Sequence, residues 1–183
     1  MSDFTLHTKE TAPEAAKPLI DNSVSAFGML PNLHAVMAEA PTLLEGYQVL
    51  HKLAQDTSFN AEELTVVWQA VNVEHACHYC VPAHTGIAKS MKVRDDLIEA
   101  LRNDETLSDS KLNTLKETVL ALTRGRGNVD NAQLDAFYAA GYKHQQLLEI
   151  ILILAQKVMS NYTNHLAETP VDEPFKQFEW SPK

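Results

Sequence analysis

Proline placement constrains this chain more than any other single feature. The prolines stand at positions 13, 18, 31, 41, 82, 170, 174 and 182, so the span from Ala83 to Thr169 has none. Proline lacks the amide hydrogen that a helix interior needs, and its ring collides with the preceding turn, so a long stretch without it is free to form long helices. Glycine is scarce, with 6 in 183 residues, and the β-branched runs that would favour strands are few. An all-α fold follows. No break in composition divides the chain, so residues 1–183 read as one domain with one core, preceded by about a dozen polar residues expected to fray.

Helix boundaries can be placed from the same punctuation. A weak helical pattern runs from Pro13 to Phe27 and breaks at Gly28. Pro31 and Pro41 each suit the first position of a helix, reaching about Glu39 and Gln55. Asn60 and Glu63 form a capping box that starts a helix running to about His75, with Phe59 and Leu64 placed as a staple. On that helix Leu64, Val67, Trp68 and Val71 make one apolar stripe, Gln69 and Asn72 fall on the polar face, and Glu63 and Glu74 aim into the apolar sector. Further helices are expected from near Cys80 through Met91, over Asp95–Leu101, Ser108–Arg124 and Asp130–Ala140, and from His144 to Leu166. The last is apolar nearly all round, which marks it as the central, buried helix. Beyond Pro170 the tail carries Phe175, Phe178 and Trp180, aromatic side chains that suit packing on a neighbouring subunit.

The chemistry concentrates between Glu74 and His84, in EHACHYCVPAH, which holds both cysteines of the chain and three of its eight histidines. Cys77, Cys80 and His84 have the i, i+3 and i+4 spacing that puts side chains on one helix face. Pro82 belongs in a first turn, so Cys80 lies at or just before a helix N-terminus, where a thiol is more acidic than its usual pKa near 8.5. His84 can take its proton, and Cys77 can resolve a sulfenic acid on Cys80 as a disulfide. Tyr79 either fills core or passes protons through its hydroxyl. Two other readings stand beside this one: a pair of inert buried thiols, and a zinc site made by Cys77, Cys80, His84 and either His75 or His78. Glu63 is explained by its cap but could also serve a proton relay. If the chain turns back near Ala76, His84 faces Trp68 and Glu63 sits about a turn away. Glu74 is the alternative relay carboxylate, Glu149 is expected to pair with Arg124 or Arg126, and Asn161 and His165 are candidates to close the pocket.

With 15 basic against 24 acidic residues the net charge is −9, which opposes binding to nucleic acid or anionic lipid. The N-terminus lacks the pattern of a signal peptide, and the longest apolar run, 150–155, is too short to cross a bilayer. A cytoplasmic protein is expected, where a CxxC pair is more often redox-active or metal-binding than a structural staple.

EELTVVWQAVNVEHACHYCVPAH followed by TGIAKSMKV resembles the core of the alkyl hydroperoxidase D-like, or carboxymuconolactone decarboxylase, family. The later stretch AGYKHQQLLEIILILAQKVMSNYTNHLAETPVDEPF is similar to the C-terminal part of its peroxidase-related members. The resemblance implies an all-helical fold assembled as trimers or hexamers, with thiol-dependent peroxidase or disulfide reductase activity and neither cofactor nor metal. It makes Cys80 the attacking thiol, Cys77 the resolving one, and His84 with Glu63 a proton relay, with Tyr79 where some members carry histidine. Substrates would be hydroperoxides or disulfides, with a thiol or dithiol protein as reductant. The decarboxylase branch does not rely on a CxxC pair, so both cysteines here favour redox chemistry over lyase chemistry.

Overall fold

In the computed structural model, which describes residues 3–182, the helices are α1 (Lys17–Phe27), α2 (Asn32–Met37), α3 (Pro41–Gln55), α4 (Ala61–Glu74), α5 (Cys80–Ser90), α6 (Asp95–Arg102), α7 (Ser110–Arg124), α8 (Asn131–Ala139) and α9 (His144–Ala167). Short 3-10 turns occupy Glu14–Ala16 and Glu173–Phe178, and there is no strand among the described residues. Proline and capping signals account for most of these starts. Pro41 is the first residue of α3, and Asp109 and Asp130 cap α7 and α8 through their carboxylates. At α4, Asn60 accepts from the Glu63 amide and Glu63 reaches back to the Asn60 amide, so the capping box forms in full.

The central helix is α4, not α9. It packs against α5, α6, α7 and α9, and every residue from Glu63 to Asn72 is buried. Its expected polar face is covered because Gln69 and Asn72, both fully buried, meet polar partners on α5 and α9. By contrast α9 buries one face, including Ile150 and Ile153, and leaves Leu148, Ile151, Tyr162 and Leu166 at the surface of the single chain. An apolar circumference shows that a helix avoids water; it does not say which neighbour covers each side.

Two turns position the site. Ala76 adopts a left-handed φ of 52°, and Cys77 N–H donates to Asn72 O while Ala76 N–H donates to Val73 O, a Schellman closure that reverses the chain between α4 and α5. The reversal brings the His84 and Trp68 rings to 4.8 Å, the pairing expected from a turn near Ala76. At the other end of the chain, the tail folds back on α5. Gly86 permits this, since a Cβ there would lie 2.6 Å from the Phe175 ring. Arg102 donates to Phe178 O, and the Trp180 indole donates to Arg102 O. The tail aromatics therefore pack on their own chain rather than waiting for another.

The N-terminal segment is likewise held. His7 N–H donates to Ala35 O, the His7 ring meets Glu39, and Ala12 is buried, so residues 7–12 do not fray as their polarity suggested. Long-range partners decide this, and local composition does not report them.

Candidate active site

Cys80 is the first residue of α5, and Pro82 sits in the same first turn, where its missing N–H costs nothing. Both sulfurs are reduced and buried, Cys77 completely and Cys80 at 2% exposure. The Cys80 amide donates to the Cys77 sulfur at 3.3 Å, so Cys77 stands over the open N-terminal turn of the helix. From α9, the Asn164 amide group donates to the Cys80 sulfur at 3.2 Å.

Burial alone would push the Cys80 thiol up. The Cys77 S–H, the positive charge of Lys157, and the Ser160 and Asn161 side chains outweigh it and bring its pKa down to about 5. The same hydrogen bond works in reverse on Cys77: as donor to Cys80, and buried, it is held far above the ordinary thiol range. One sulfur is thus a thiolate at neutral pH and its neighbour keeps a proton.

Lys157 is fully buried at the middle of α9. Burial lowers its pKa while the two cysteine sulfurs pull it back up, so thiolate and ammonium sustain each other. Its Nζ lies 2.8 Å from His84 Nε2. Burial, then the charge of Lys157, then His51 hold His84 well below the usual histidine range, so the ring is neutral and accepts from the lysine. Among the described residues His84 Nδ1 has no hydrogen-bond partner. The ring expected to take the thiol proton therefore faces an ammonium.

An amide network locks these elements together. Gln69 donates to Val81 O and to the Thr85 hydroxyl, Asn72 to Gln69 and to Cys80 O, and Asn161 to Asn72. His75 bonds Asn161 at 2.9 Å, and His78 bonds Thr169 O at 3.0 Å. The zinc set is accordingly not brought together, and among the described residues no three His, Cys, Asp or Glu side chains stand where they could hold a metal. Tyr79 donates to the buried carboxylate of Asp172 and accepts from the Leu33 amide, tying the site to the tail.

The remaining carboxylates lie elsewhere. Glu63 is buried with Lys111 at 2.9 Å, and nine residues of helix, about 14 Å, separate it from Asn72 beside the thiols. Glu74 holds Arg124 through two bonds, at 2.9 and 2.7 Å. Glu149, expected to pair with an arginine, instead accepts from the amide and hydroxyl of Ser58. Asn161 belongs to the site, whereas His165 is exposed. Sequence reasoning passed over Lys157, Ser160 and Asn164. Their signal was present: Gln156, Lys157, Ser160, Asn161 and Asn164 repeat every three to four residues down one face of an otherwise apolar helix, and all five are fully buried.

A small cavity of about 80 Å³ reaches Cys80, His84 and Lys157, with Tyr47, Ile87 and Phe175 among its walls.

No family model matches the sequence, and no curated protein matches it. Solved structures do. The AhpD core of an uncharacterized peroxidase-related protein from Ralstonia eutropha superimposes with a TM-score of 0.82 at 17% identity, over 95% of this chain and 94% of its own. A peroxidase-related protein from a Silicibacter species gives 0.77 at 16% identity, over 94% and 92%. The debrominase Bmp8, solved with 2,3,4-tribromopyrrole, gives 0.78 at 18% identity, over 97% of each chain. The chain thus has the all-helical AhpD-like fold, as the resemblance of its CxxC region led one to expect. No described helix is long and apolar enough to cross a membrane.

Proposed function

We propose that the protein is a thiol-dependent peroxidase that reduces a hydroperoxide at Cys80. The observation that carries this reading is a pair of reduced, buried cysteines at the start of α5, with the Cys80 sulfur accepting from the Asn164 amide at 3.2 Å and the Cys77 sulfur 3.3 Å from the Cys80 amide, an arrangement that lowers the Cys80 pKa and raises that of Cys77. The Cys80 thiolate attacks one peroxide oxygen, an S–O bond forms, the O–O bond breaks, and sulfur is oxidised by two electrons to the sulfenic acid. The departing alkoxide takes a proton from Lys157, whose ammonium is no longer matched by a thiolate. Cys77 then attacks the sulfenic sulfur. The S–S bond forms, the S–O bond breaks, and water leaves with the Cys77 proton. A dithiol reductant reopens the disulfide. A disulfide reductase would use the same pair with a disulfide as oxidant.

One equivalent of hydroperoxide is expected to lower the intact mass by two hydrogens, with full recovery on dithiol reduction. Gain of oxygen without loss of hydrogen, or two free thiols after treatment, would remove the resolving role of Cys77.

We also propose a homo-oligomer, now on a different surface from the tail. Leu148, Ile151, Tyr162 and Leu166 are 50–70% exposed along one side of α9, at spacings of three, eleven and four residues that keep one helix face. A second copy would cover that stripe. Light scattering is expected to report more than one chain per particle, and the double substitution Leu148→Glu with Leu166→Glu to leave a monomer; a monomeric wild type at micromolar concentration would end the proposal.

A further inference from the structure

Cys80 is buried, so any reactant must come through a cavity. The chamber that touches the sulfur has room for about 80 Å³, enough for a hydroperoxyl group and little of the molecule that carries it. A second, larger cavity of about 440 Å³ opens on the surface between α1 and α3. The two chambers share a wall made by Phe27, His34 and His51.

We propose that these chambers are one route, in which the outer cavity binds the body of an organic hydroperoxide with a planar apolar group while its peroxide end passes Phe27 to reach Cys80. This rests on the peroxidase reading above and names its substrate class.

Phe27 is suited to divide the route. It is the last residue of α1, before the left-handed Gly28, and the residue is 44% exposed while its ring stands 5.5 Å from the His34 ring, edge-on, and 6.0 Å from the His51 ring. Behind it the rings continue inward, His51 stacking on Trp68 at 5.9 Å and Trp68 meeting His84. An aryl group finds ring edges and faces there at favourable spacing. Both imidazoles are kept uncharged at neutral pH, His34 near 3 and His51 near 4, in each case first by burial. The outer chamber adds Ala26 and the side-chain amides of Gln48 and Gln55. A volume above about 300 Å³ is ordinary for a small organic ligand, whereas the inner chamber alone falls well below it.

N-methylmaleimide and N-phenylmaleimide, which share a reactive group and differ in the body it carries, measure the route without any peroxide. Cys80 alkylation by each is followed in wild type, Phe27→Trp and Phe27→Ala, alongside turnover of hydrogen peroxide and cumene hydroperoxide. Phe27→Trp is expected to slow the phenyl reagent and cumene hydroperoxide by about tenfold, and Phe27→Ala to speed both, with severalfold smaller changes for the methyl reagent and hydrogen peroxide. Parallel changes for large and small reagents, or no change for either, would overturn the route. If alkylation shows the size dependence and no hydroperoxide is reduced, the route stands and the peroxidase reading fails. Far-ultraviolet circular dichroism of both variants guards against misfolding, and Phe27→Leu supplies a milder substitution if either does not fold.

Discussion

Lys157→Met is expected to raise the midpoint of Cys80 thiolate formation from about 5 by roughly one to three units and to slow hydroperoxide reduction at pH 7 by about 10²-fold or more. Methionine keeps the length and apolar stem of lysine and removes only the charge. Burial then acts on the thiol with one of its main counterweights gone, and burial alone raises a thiol above its ordinary value. A rise of one to three units from about 5 leaves between most and about a tenth of the sulfur ionised at pH 7, a loss of roughly tenfold at most. Loss of the proton donor to the leaving alkoxide contributes a further factor, typically about 10²–10⁴ for general acid catalysis. The sign follows from the direction of the shift. In wild type, thiolate reactivity is present above pH 5 and is lost as pH falls through it, whereas in the variant it is lost at a pH roughly one to three units higher. The pH dependence of iodoacetamide alkylation checks the first factor and stopped-flow peroxide consumption the second; profiles that superimpose on wild type would remove Lys157 from the site.

His84 enters this account through Lys157. Its Nε2 accepts from the lysine, and burial first holds its own pKa low, so in the resting state the neutral ring orients the ammonium. The sequence made His84 the natural base because it lies one turn beyond Cys80 on α5. That reading follows chain proximity, and a charge that acts on both groups comes from α9, seventy-three positions beyond His84. Local signals were legible for a physical reason: a capping box, a proline in a first turn and a CxxC spacing are complete within a few residues. Asn60 with Glu63, the start of α5 at Cys80, and the turn at Ala76 were all readable that way. Gln69 and Asn72 were not, because a polar helix face looks the same whether it meets water or another helix's amides. Glu63 illustrates the converse. Its inward direction is real, but the partner it points to is Lys111 on α7, which only the packing of α4 against α7 supplies.

Asn164 offers a graded test of the thiolate, since its amide can be replaced by a group of nearly the same shape and opposite effect. Asn164→Leu removes the 3.2 Å donor to Cys80. A hydrogen bond to a charged group contributes about 1.5–3 kcal/mol, so the thiol should rise by roughly one to two pKa units. From a starting point near 5 that still leaves about half or more of the sulfur ionised at pH 7, and the rate there should fall by no more than about twofold, with a larger loss near pH 6. Asn164→Asp does more. It removes the donor and sets a carboxylate against the thiolate, a repulsion of about 4 kcal/mol at 4 Å with an effective dielectric constant near 20, or about three further units. The midpoint should then pass 8, and reactivity at pH 7 should drop by about 10²-fold relative to wild type. Part of that repulsion is relieved if the new carboxyl takes a proton, in which case the fall is steepest above its own titration and the profile broadens. The expected order of midpoints is wild type, then Asn164→Leu, then Asn164→Asp, read from the pH dependence of Cys80 alkylation. Equal midpoints for the two variants would mean that charge at position 164 is not felt at the sulfur, and that the side chain reaching Cys80 from α9 does not set its ionisation.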